Sequence, residues 1–137
     1  ILQEIYEHYN VLQGKWSIVT PWIDPYYLNP RKKKIKKQKK AHNILFVSSL
    51  IEFKGAWVAA HAMKKICSVT PDAHLFFVGG DQEKEGRYRK KIEDICKKDG
   101  AINAITFLGK KTKEEIYELQ TNASVFICPT VYIWTNK

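Results

Sequence analysis

Four short apolar runs recur along the chain: ILFVS at 44–48, HLFFVG at 74–79, AITFLG at 104–109 and SVFICP at 124–129. None alternates polar with apolar residues. A strand with one wet face must alternate, so continuous runs of this length fit strands buried on both faces, the mark of a parallel sheet. The segments between the runs have helical spacing. Ala59, Ala62, Met63 and Ile66 form one stripe, and Tyr88, Ile92 and Ile95 a second. The third helix opens with TKEE, where Thr112 is placed to cap and Glu115 to reach back, ahead of Ile116 and Leu119. The spacing predicts helices near 55–67, 83–98 and 112–122.

Strand–helix–strand alternation requires right-handed crossovers. The expected fold is therefore α/β, a Rossmann-like open parallel sheet with helices on both faces. In such sheets ligands bind outside the carboxyl ends of the strands. Those ends are Ser48–Gly55, Gly79–Asp81, Gly109–Lys111 and Pro129–Tyr132.

The 137 residues allow one domain with a real core. The chain starts at Ile1 with no charged–apolar–small leader, and is read as a piece of a longer protein. Residues 1–42 hold a helix candidate (ILQEIYEHY), a short strand candidate (KWSIVT), a loop rich in proline and aromatics and a basic linker; residues 43–137 hold the sheet. The longest uncharged run, Leu119–Asn136, is broken by Gln120, Asn122, Pro129 and Thr130, so no membrane-spanning helix is expected. Cys67, Cys96 and Cys128 form no CxxC and lie in helix-like or strand-like runs, which predicts buried free thiols in a reducing cytoplasm.

The net charge of +9 has a local origin. Arg31–Lys40, RKKKIKKQKK, carries eight of the 23 basic residues, and without them the remainder is +1. This run reads first as a solvated linker or edge, next as a contact for anionic lipid. Nucleic acid is the least supported reading, since neither interleaved aromatics nor a known RNA-binding pattern is present.

The strand ends carry no GxGxxG, no GxxxxGK[ST] and no acidic cluster. Lys54-Gly55 sits where a helix begins, and free amides, the helix dipole and an ammonium group together favour an anion there. Spacing alone favours a solvated lysine, as it favours a tight turn for Gly79-Gly80-Asp81. His8, His42, His61 and His74 lack metal spacing, so neither a metal nor a cofactor is expected.

Taken together, the motifs resemble the carboxyl-terminal domain of the GT-B glycosyltransferases of family 4, the glycosyl transferases group 1 family. SIVTPWIDPYYLNP is similar to the interdomain VIPNGVD stretch, and ILFVSSLIEFKG to the first strand and its GR-x4-KG loop. HLFFVGGD resembles the LxIVGxG strand end; AITFLGKKTKEEIYELQTNASVFICPTVY resembles V-x-FLG…ELxxLYxxAxxFxxPSxxE. The resemblance covers residues 16–132. It implies one half of a GT-B fold, with the donor diphosphate held by Ser48, Ser49, Lys54 and Gly55. Gly79, Gly80, Asp81, Gly109 and Lys110 would frame the nucleotide, and Pro129 and Thr130 would lie near the donor sugar.

Two departures matter. Ser48 and Ser49 replace the glycine and arginine of GR, so one cation of the diphosphate clamp is missing. Both glutamates of the E-x7-E motif are absent, so no catalytic residue is assigned and this chain alone is expected to be inactive. The resemblance implies the donor-binding part of a retaining, metal-independent glycosyltransferase. It would move a sugar from a nucleotide-diphosphate sugar to a glycan or polyprenyl-linked acceptor in bacterial O-antigen or capsule synthesis. Its place would be the cytoplasm, with a peripheral seat on the inner face of the plasma membrane as the alternative. The rival reading is a non-enzymatic Rossmann-like module that docks anionic membrane or nucleic acid through residues 31–40.

Overall fold

A computed structural model describes residues 42–82 and 86–131. The candidates within residues 1–41, including Arg31–Lys40, the first residues of the 83–98 helix and the chain from Tyr132 lie outside the described residues. The elements are β1 (Asn43–Val47), α1 (Ala56–Val69), β2 (His74–Val78), α2 (Arg87–Lys98), β3 (Ile105–Gly109), α3 (Lys113–Asn122) and β4 (Val125–Ile127). The four apolar runs are these four strands. They pair in parallel in the order β3-β2-β1-β4.

This order has a direct consequence. From β1 the chain steps to β2 and on to β3 in one direction, then returns to place β4 on the far side of β1. Right-handed crossovers put α1 and α2 on one face and, after the reversal, α3 on the other. The first face holds the main core, where Ile44, Phe46, Leu75, Phe77 and Ile105 meet Ala56, Ala59, Ala60 and Met63 of α1 and Tyr88, Ile92 and Cys96 of α2. Each fully buried Leu or Phe contributes about 1.5–3 kcal/mol relative to exposure. Phe46 meets Phe77 edge-on at 5.5 Å, Phe77 stacks on Phe107 at 4.9 Å, and the Arg89 guanidinium closes the row 4.7 Å from Phe107.

Three expectations need correction. Burial on both faces fits β1 best, whereas β3 is only partly covered and β4 leaves Val125 and Phe126 half-exposed. Both are edge strands of the described sheet, so one side of each has no neighbour. Ala62 is exposed and Ala60 takes its place, because α1 turns Ala56, Ala59, Ala60 and Met63 to the sheet. Of the three thiols only Cys96 is buried; Cys67 is intermediate and Cys128, beyond the short β4, is exposed.

Candidate functional site

The reversal makes the crevice between the carboxyl ends of β1 and β4 a topological switch point, where open α/β sheets receive ligands. Two loops meet there. The Val131 N–H donates to the Phe53 carbonyl at 2.9 Å. Gly55, in the left-handed region at φ 74°, lies so close to Pro129 that a Cβ would fall 1.8 Å from its carbonyl oxygen. Only glycine fits both the conformation and the space.

Residues Ser48–Gly55 are held from below by main chain. Ser48 N–H donates to Val78 C=O at 3.0 Å and Leu50 N–H to Gly80 C=O at 2.9 Å. Leu50 anchors the loop in the core. Residues Glu52–Lys54 then form a 3-10 turn that delivers the chain to α1. The turn's one carboxylate is drawn off by α2, since Lys91 Nζ donates to Glu52 Oε2 at 2.8 Å. Lys54 is half-buried with its Nζ 5.0 Å from the Phe53 ring centroid, and has no carboxylate partner among the described residues.

The helix beginnings differ in the same sense. The amino end of α2 is capped by Asp81, whose Oδ2 accepts from the Arg89 N–H at 2.8 Å. That of α3 carries the capping box read from TKEE: Thr112 Oγ1 accepts from the Glu115 N–H at 3.2 Å, and Glu115 Oε2 from the Thr112 N–H at 2.8 Å. The Lys111 ammonium and the Thr112 N–H hold the Glu115 carboxyl below its usual range. The amino end of α1, at the switch point, has neither a side-chain cap nor an acidic residue in its first turn. The indole N–H of Trp57 in that turn is buried without a hydrogen-bond partner. Uncapped amides, the positive end of a helix dipole and an unpaired ammonium make a local environment for an anion.

Of the residues singled out in the sequence, Ser48, Ser49, Lys54 and Gly55 line the loop after β1, and Gly55 touches Pro129. Gly79 is wedged between strands: its N–H donates to Gly109 C=O at 2.8 Å, and a Cβ on it would lie 1.9 Å from the Ser48 oxygen. The stem of Lys110 lies across Gly80. Asp81 turns to α2 as its cap, and Thr130 is exposed with its Oγ1 3.7 Å from Cys128 Sγ. Sequence reasoning missed Gln82, whose Nε2 donates to Ser49 Oγ at 3.2 Å, and the Glu52–Lys91 pair. The three described histidines have local partners: His42 bonds Asp72, His61 bonds Asp99 and His74 bonds Thr106. Among the described residues no group of His, Cys, Asp and Glu is arranged to hold a metal, and no helix is long and apolar enough to cross a membrane.

The sequence model of the family described as "Glycosyl transferases group 1" matches residues 29–132. The chain belongs to the glycosyl transferases group 1 family. No curated protein matches it. Several solved structures share the fold of this group 1 domain, the first two of those below being glycosyltransferases. One from Rickettsia africae ESF-5 is 19% identical with a TM-score of 0.72 over 94% of this chain and 35% of its own. WaaG, a glycosyltransferase involved in lipopolysaccharide biosynthesis, is 23% identical with a TM-score of 0.68 over 94% of this chain and 35% of its own. HepE from Anabaena, solved with UDP, is 18% identical with a TM-score of 0.55 over 72% of this chain and 25% of its own. The chain thus spans about a third of the length of the first two.

Proposed function

We propose that this group 1 domain is the donor-binding part of a retaining glycosyltransferase, and that the switch point holds the diphosphate of a nucleotide sugar. The supporting observation is that α1 begins without a cap beside a lysine without a carboxylate, while α2 and α3 begin with caps. On this reading Lys54 offsets charge on the leaving diphosphate as it develops. Ser48, Ser49 and Gly55 add hydrogen bonds and close approach; Gly79, Gly80, Gly109 and Lys110 frame the nucleotide. Pro129 and Thr130 border the sugar. Asp81, which also caps α2, belongs to the nucleotide-framing set on this reading.

The HepE structure with UDP supports a nucleoside diphosphate as ligand. WaaG, involved in lipopolysaccharide biosynthesis, supports a setting in surface glycan assembly, which we take to be O-antigen or capsule synthesis. The acceptor would be a glycan or polyprenyl-linked sugar, met in the cytoplasm or at the inner face of the plasma membrane. The 137-residue chain alone is proposed to bind donor without turning it over.

Calorimetry with UDP, GDP and the matching nucleosides tests the assignment. Lys54→Ala should weaken the diphosphates about ten- to a hundredfold and the nucleosides little, since a bond to a charged group contributes about 1.5–3 kcal/mol. Ser49→Arg should tighten the diphosphates by restoring the second cation. Unchanged affinities in Lys54→Ala would remove the donor site from this loop.

A further inference from the structure

The described part of the chain concentrates its basic residues on one helix. Six of the 12 residues of α2, RYRKKIEDICKK, are Arg or Lys and two are acidic. Its buried stripe, Tyr88, Ile92 and Cys96, packs on the core. Beside the opposite stripe runs a shallow groove of about 510 Å³ lined by Arg87, Lys90, Lys91, Asp94, Ile95 and Lys98. Lys91 is shared with Glu52, and Asp94 lies 3.6 Å from Lys97. Arg87, Lys90 and Lys98 have no carboxylate partner among the described residues. Arg89 stands apart, engaged by Glu93 and the Phe107 ring.

We infer that this face of α2 docks the domain on a bilayer surface rich in anionic phospholipid. The charges are spread along the helix from Arg87 to Lys98, about 16 Å at 1.5 Å per residue. That spread suits an array of headgroups better than one small anion, which calls for convergent donors. Tyr88, the one aromatic residue of α2, is buried, so the face has no stacking platform for single-stranded nucleic acid. The apolar stripe of α2 is already used by the core, so docking is electrostatic and does not insert the helix. The Lys91–Glu52 bond ties this face to the loop after β1, which would keep the switch point close to the bilayer. The inference stands apart from the donor assignment and from Arg31–Lys40.

The test is co-sedimentation of the full 137-residue chain with phosphatidylcholine vesicles, with and without phosphatidylglycerol. Binding should need phosphatidylglycerol and fall steeply between about 0.1 M and about 1 M salt, as the Debye length shrinks from about 10 Å to about 3 Å. Lys90→Gln/Lys98→Gln should lower partitioning about twenty-five-fold, since each basic residue near such a surface multiplies it about fivefold. Lys64→Gln/Lys65→Gln, which removes equal charge from α1, should change it less than about threefold on the same scale. Circular dichroism checks that both variants are folded. Equal binding to pure phosphatidylcholine overturns the inference, as does equal loss in the two double variants. Tighter binding to a short RNA or DNA than to the anionic vesicles overturns it in favour of a nucleic acid.

Discussion

Gly55 is fixed twice at the level of a single residue. A left-handed backbone costs other residues about 1–2 kcal/mol, and the Pro129 carbonyl leaves no room for a Cβ in any case. The glycine was legible in LIEFKG; its contact 74 residues along the chain was not, because no local pattern encodes which loops meet. The cysteines carry the same lesson. Their apolar surroundings suggested three buried thiols, yet burial depends on strand position in the sheet, and Cys128 follows an edge strand. Burial, with Asp99 and Cys67 nearby, pushes the Cys96 thiol up to about 11. At pH 8 only about a thousandth of it is thiolate. Brief treatment with iodoacetamide followed by mass spectrometry should therefore label Cys128 first and Cys96 only on unfolding. Comparable early labelling of Cys96 would mean that the α1–α2 packing opens readily.

Among the elements, α3 was the most readable because its cap is written in four consecutive residues, whereas Asp81 caps α2 from beyond the helix's own sequence pattern. Thr112→Ala should cost about 0.5–2 kcal/mol, measurable as a lower midpoint in urea. Glu115 adds a pH signature. Its carboxyl is held below the usual range, first by Lys111, so the folded state binds its proton less readily than the unfolded state. Its stabilisation is complete above the ordinary carboxylate range and is lost as pH falls through its depressed folded value. Glu115→Gln should thus be less stable than the parent at neutral pH, with the gap closing in acid. A gap that stays constant down to low pH would place the effect of Glu115 elsewhere than in its charge.

In the molecule as a whole, continuous apolar runs revealed four parallel strands, but strand order left no trace in the sequence. The step back across β1 creates both the switch point and the half-exposed β4. Open strand edges with apolar side chains template self-association. Sedimentation velocity should show concentration-dependent association of the chain, and Phe126→Lys should reduce it; an unaltered profile would clear β4 of that role. The way the switch point is walled has a longer reach. Gly55 against Pro129 and Gly79 between Ser48 and Gly109 make a rim of main chain, with the side chains of Ser49, Phe53 and Lys54 standing on it. An exchange at Ser49, Phe53 or Lys54 need not redraw that rim, because its contacts run through glycines and main-chain groups. Side chains on such a rim are free to change while the frame stays, and two chains with 19% of their residues in common can still share one fold.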